Sequence, residues 1–127
     1  TYRTLPDRDH TGIMGSSMGG LISLYAAISH QEIFGKAGIF SPSIWFSKKS
    51  LSTILEYGKT DDVRFFLLAG VPEGDYVVND VMRLEQTLYV AGFDEAEVAV
   101  DIQEDGTHQE WFWGREFVKA IEWLFFD

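Results

Sequence analysis

Two rhythms of apolar and polar residues alternate along this chain. Short apolar stretches that suit strands stand at residues 10–16, 36–41, 63–70 and 96–102. After each one, apolar residues recur every three or four positions, the spacing of one helix face. Leu21, Ile22, Leu24, Tyr25 and Ile28 predict a helix over 18–29, with Gly20 and Ala26 allowing close packing and His30, Gln31 and Glu32 closing it. Leu51, Ile54 and Leu55 predict a second over 48–58, stopped by Gly58. Val77, Val78, Val81, Leu84, Leu88 and Ala91 form a stripe over 77–91 ended by Gly92, and the aromatic-rich 110–125 forms a closing helix. Residues 1–9 are polar, with a turn signal at Leu5-Pro6-Asp7.

The strand-like stretches differ in kind. Val63–Gly70 is continuously apolar after Arg64, as expected of a strand covered on both faces, whereas Ala96–Ile102 alternates. Strands and helices taking turns at this spacing predict an α/β fold, a mostly parallel sheet of about four strands joined by right-handed crossovers, with helices on both faces. No linker, repeat or low-complexity segment divides residues 1–127, so a single domain is expected. Ligands collect at the carboxyl ends of the strands in such sheets. Ser17, Ser41–Trp45, Glu73–Asp75 and His108 all fall at that edge.

Composition narrows the function. The 10 basic and 20 acidic residues give a formal charge of −10, a field that disfavours nucleic acid and anionic membrane surfaces as partners. There is no cysteine, which excludes disulfides and a thiolate nucleophile. No apolar run approaches the length of a membrane span. The chain opens at Thr1 with no leader-like segment; the compartment stays open, with a cytoplasmic setting favoured.

Gly15, Ser17 and Gly19 spell G-x-S-x-G where a strand pattern gives way to a helix pattern. That is the context in which the motif forms a nucleophile elbow, a tight turn exposing the serine Oγ. The following helix turns its positive end toward the same point, and the Met18 N–H is the first candidate for binding an oxyanion there. A serine nucleophile needs a base, and the base an orienting carboxylate. Of three histidines, His10 precedes the first strand, at the wrong edge, and His30 suits a helix carboxyl end. His108 lies in the loop after the last strand and is the candidate base. Glu73, three residues past Gly70, is favoured as the acid over Asp75, while Asp80 reads as a solvated first-turn residue. No metal or nucleotide motif occurs, so no cofactor is expected.

The runs Gly15-Ser16-Ser17-Met18-Gly19-Gly20-Leu21, Phe34-Gly35-Lys36-Ala37-Gly38 with Phe40-Ser41-Pro42 and Trp45, and Gly106-Thr107-His108-Gln109-Glu110-Trp111 together resemble the esterase branch of the α/β-hydrolases. That branch includes esterase D (S-formylglutathione hydrolase), feruloyl esterases and enterochelin esterases. The resemblance covers nearly the whole chain. It implies Ser17 as nucleophile and His108 as base, and Gly70-Val71-Pro72-Glu73 matches the branch's acid position with Glu in place of the more usual Asp. Asp75 stays an alternative, and so does a Ser–His pair with no acid. The branch carries further strands before the elbow, with a loop supplying a second oxyanion donor; this chain begins just before the elbow strand.

The expected activity is serine carboxylic-ester hydrolysis of a small-molecule ester, with Trp45 walling the pocket. The competing expectation is a weak or inactive fragment that binds a partner through Trp111, Phe112 and Trp113. Acyl transfer to an alcohol shares the covalent step. An uncovered first strand also predicts a dimer through that edge, or association with a missing amino-terminal half.

Overall fold

The computed structural model describes Leu5 and residues 7–126. The polar start at Thr1–Thr4 and the Pro6 of the expected turn lie outside the described residues. The elements are β1 (Gly12–Ser16), α1 (Met18–Ser29), β2 (Lys36–Phe40), α2 (Ser50–Tyr57), β3 (Arg64–Gly70), α3 (Asp75–Ala91), β4 (Val98–Gln103) and α4 (Glu110–Phe126). The strands lie in the order β1-β2-β3-β4, and every pair is parallel. The α/β architecture and the four-stranded parallel sheet are those expected.

The distribution of helices follows from that order. Each crossover steps the same way across the sheet, so a constant hand places α1, α2 and α3 on one face. Leu24, Ile28, Ile54, Val81, Leu84 and Leu88 pack there against Ala37, Ile39, Phe65 and Leu67. The alternate residues of the same strands, Phe40, Phe66 and Leu68, point the other way and meet Phe112, Ala120 and Leu124 of α4. β3 is buried on both faces because the two-residue period of a strand feeds both clusters. Burying a single such side chain is worth about 1.5–3 kcal/mol, so the central strands carry much of the fold.

α4 lies over β2 and β3. A cavity of about 300 Å³ opens beside β1 on that face, with Met14, Phe40, Trp113 and Phe117 in its wall. Among the described residues no strand lies outside β1.

Two local expectations are corrected. His10 does not open the first strand; it ends a 3-10 turn at Arg8–His10, closed by its N–H donating to the Asp7 carbonyl. α3 begins at Asp75, two residues early, because Gly74 at φ 109° turns the chain and Asp75 suits the positive helix end.

Candidate active site

β1 ends at Ser16 and α1 begins at Met18, leaving Ser17 alone in the turn at φ 58° and ψ −122°. A non-glycine residue there is strained, at a cost of order 1–3 kcal/mol. The surroundings hold it: the Ser17 N–H donates to the Phe40 carbonyl at 2.9 Å, and the Ser17 carbonyl accepts from the Ser43 N–H at 3.1 Å and the Leu21 N–H at 3.2 Å. Gly15 is required by contact, since a Cβ there would lie 2.3 Å from the Gly19 carbonyl oxygen. Gly19 is not, because a Cβ at that position would meet open space. Of the two motif glycines, only the first is forced by the turn's own packing.

The structure brings Ser17, His108 and Glu73 together. His108 Nε2 lies 2.9 Å from Ser17 Oγ, and His108 Nδ1 lies 2.6 Å from Glu73 Oε1. An ionised carboxylate only accepts, which puts the imidazole proton on Nδ1 and leaves Nε2 to accept from the serine hydroxyl. Asp75 is exposed at the start of α3 and makes no hydrogen bond or ion pair with His108 among the described residues. The difference comes from the 3-10 turn Val71–Glu73, which folds Glu73 back over the end of β3.

Glu73 is held on both oxygens. Its side chain is 1% exposed. Oε2 accepts from the Gly70 N–H at 2.7 Å and from the Ser41 hydroxyl at 2.8 Å. Ser41 in turn accepts from the Trp113 indole N–H at 2.9 Å, and the Trp113 ring stands edge-on to His108 with centroids 5.0 Å apart. Ser41 is 1% exposed and sits at φ 44°. Sequence reasoning placed Ser41 at the right edge without a role and missed the part of Trp113. Position at a strand's carboxyl end was the only available signal for the first. Nothing in the linear pattern marks the second.

The His108 loop is seated by missing side chains. A Cβ on Gly70 would fall 2.0 Å from the Gly106 carbonyl oxygen, and one on Gly106 would fall 2.3 Å from the Phe112 ring. Two bare backbones and a buried ring therefore pull the β4–α4 loop onto the end of β3. His108 remains 45% exposed, open to an incoming molecule.

Met18 opens α1, and no side chain caps that end. The first N–H groups of a helix have no intrahelical acceptor, so those of Met18 and Gly19 start the helix without one. Ser43 is buried, with its Oγ 3.3 Å from that of Ser17. Trp45 is 56% exposed in the turn Ile44–Phe46 that follows, edge-on to Phe46. Of the aromatic cluster considered as a contact surface, Phe112 is fully buried and Trp113 is engaged with Ser41; Trp111 is exposed.

The other titratable groups lie elsewhere. His10 is exposed with Nδ1 2.7 Å from Asp7, and His30 stands 3.5 Å from Glu32. Asp80 contradicts its expected solvated state. It is buried, and burial pushes its carboxyl above the usual range, against a weaker opposing pull from Arg83. No group of three or more His, Asp or Glu side chains converges as metal ligands among the described residues. No helix among them is long and apolar enough to cross a membrane.

A four-stranded parallel sheet with a strained serine between the first strand and its helix, and a histidine loop at the same edge, has the form of an α/β-hydrolase fold. The family profile described as "Putative esterase" matches residues 1–124, and the chain belongs to that family. It is similar to the uncharacterized protein YbbA of Bacillus subtilis, at 28% identity over 121 residues, covering 90% of this chain and 48% of that protein. It is also similar to the iron(III) salmochelin esterase of Escherichia coli, at 31% over 106 residues, 72% of this chain and 26% of that protein. Among solved structures, the enterobactin esterase from Shigella flexneri superposes with a TM-score of 0.81 at 23% identity, over 94% of this chain and 32% of that one. An S-formylglutathione hydrolase from Staphylococcus aureus gives 0.74 at 18%, over 97% and 54%. These two likenesses establish the fold. The chain spans about half, or less, of the length of these relatives.

Proposed function

We propose that this chain carries the catalytic residues of a serine carboxylic-ester hydrolase, with Ser17 as nucleophile, His108 as base and Glu73 as the acid that orients it. The observation that carries the reading is the unbroken relay from Ser17 Oγ through both ring nitrogens of His108 to Glu73, at 2.9 and 2.6 Å. Ser17 Oγ attacks the ester carbonyl carbon while its proton passes to His108 Nε2. The oxyanion that forms lies at the start of α1, where the Met18 N–H meets it. Collapse breaks the bond to the alcohol oxygen, which takes the proton back from Nε2, leaving an acyl ester on Ser17. Water then repeats the sequence, giving up a proton to His108 as it attacks, and the carboxylic acid departs. Glu73 holds the Nδ1 proton throughout and stabilises the imidazolium that forms twice per turnover. Trp45 walls the pocket, and residues 1–127 act as one domain.

Hydrolysis of p-nitrophenyl butyrate by the wild type and its loss in Ser17→Ala would support this reading. A fluorophosphonate should label Ser17 alone. Near-native turnover in Ser17→Ala, or labelling at Ser16, would refute it. The oxyanion has one donor from this chain at the expected place, and losing a second typically costs about 10²–10³ in turnover. We place the second donor on whatever covers β1, a second copy being the simplest. Turnover per subunit that does not change on dilution, with a monomer by light scattering, would exclude that source.

A further inference from the structure

Behind the turn that carries Trp45 lies a second cavity, of about 350 Å³, between that turn, α2 and α3. Ile44, Trp45 and Tyr76 give it apolar and aromatic walls, Lys48 and Arg83 lie on its lining, and Asp80 of α3 completes it. The Asp80 side chain is 8% exposed. Its Oδ2 has no partner among the described residues, and the nearest cation to Oδ1 is the Arg83 guanidinium at 3.8 Å, beyond hydrogen-bond range. A buried carboxylate left without donors is expensive, typically lost or satisfied unless something else meets it. Here that cost falls on the wall of a cavity.

Two segments of its wall follow directly in the chain on residues of the proposed reaction centre. Ser43, whose Oγ is 3.3 Å from Ser17 Oγ, immediately precedes the Ile44 and Trp45 that wall it. Glu73, bonded to His108, stands three residues before Tyr76. The turn that follows Ser43 and the first turn of α3, which follows Glu73, thus wall the cavity.

Resting on the esterase reading, we infer that this cavity is a specificity subsite that takes one limb of the ester, and that Asp80 accepts a hydrogen bond from an uncharged donor on that limb, a hydroxyl or an amide N–H. The charges select the donor. An ammonium would meet Lys48 and Arg83 on the same lining, and a carboxylate would meet Asp80. A neutral hydroxyl carries neither penalty, and Trp45 and Tyr76 cover the apolar chain that bears it. A hydrogen bond to a charged acceptor in a dry site commonly gives about a 10- to 100-fold preference.

The test uses ethyl hexanoate against ethyl 6-hydroxyhexanoate, and ethyl octanoate against ethyl 8-hydroxyoctanoate, with acid release followed by titration. The expected result is a kcat/KM ratio favouring the hydroxyl ester by tenfold or more at one of the lengths. That ratio should fall to within twofold of unity in Asp80→Leu and survive in part in Asp80→Asn, which keeps an acceptor. A wild-type ratio near unity at both lengths, or a preference that persists in Asp80→Leu, overturns the subsite. A stronger preference for ethyl 6-aminohexanoate overturns the neutral donor. Should Asp80→Leu fail to fold, the wild-type ratio and Asp80→Asn decide. Binding to Ser17→Ala, read from the indole resonance of Trp45, separates this claim from the esterase reading. No hydrolysis with selective binding of the hydroxyl ester sinks the enzyme and keeps the subsite. Equal binding of the paired esters sinks the subsite.

Discussion

Glu73 and Asp80 are both buried carboxylates at the carboxyl edge of the sheet, seven positions apart, and they are treated in opposite ways. Glu73 makes three hydrogen bonds, to His108, Ser41 and the Gly70 N–H. Asp80 makes none among the described residues. Burial is therefore not what separates a tool from a burden at this edge; the number of donors is. A carboxylate with all its donors in place is fixed in position and charge, which suits holding one histidine proton. One left without donors keeps its capacity for something that arrives from outside.

The sharpest way to break the comparison is Glu73→Gln. It keeps the shape, but its one oxygen is claimed by the Gly70 N–H and the Ser41 hydroxyl, which turns an NH2 donor toward His108 Nδ1; turnover should fall by up to about 10⁴, measured as kcat on p-nitrophenyl butyrate. A loss under tenfold would favour a Ser–His pair. Ser41→Ala should cost less, about 10- to 100-fold, since it deletes one charge-assisted bond to Glu73 and strands the Trp113 N–H. Its signature is a kcat loss with little change in KM.

Asp80→Asn tests the other side of the comparison through stability. Burial raises the folded-state carboxyl above its unfolded value, so the folded chain binds the proton more tightly. Stability attached to this group is present below the unfolded pKa and is lost as pH rises through the folded one. Thermal melting should therefore show Asp80→Asn gaining on the wild type from pH 4 to pH 7; a constant difference would mean that Asp80 does not titrate differently on folding. The smallest effect is expected from Asp75→Asn, within about twofold in kcat/KM, because the exposed side chain makes no hydrogen bond or ion pair with His108 or Glu73 among the described residues. A large loss there would move the acid to Asp75.

The sheet and the elbow were legible because both rest on local rules. The unbroken apolar run of Phe65–Ala69 and the three-to-four period of Leu21–Ile28 are read directly from the chain. The choice between Glu73 and Asp75 was not, since two acids in one loop differ only in how the backbone folds. Yet a cue was there: Pro72 with Glu73 behind it is the sequence of a short turn that returns its acid to the strand end. Asp80 was misread for a plainer reason. It lies three residues after Val77 and four before Leu84, on the apolar stripe itself, but nearness to the helix start was given more weight than the period. The contact of Trp113 with Ser41 spans 72 positions and had no local trace.

Ser17 and His108 are 91 residues apart. During synthesis at about 5–20 residues per second, the elbow leaves the ribosome roughly 5–20 s before its base exists. Throughout that interval the serine has no base to take its proton on the proposed mechanism. On the proposed mechanism ester cleavage requires β4 and α4 to have docked, so recovered activity in a refolding experiment should lag the return of β1–β3.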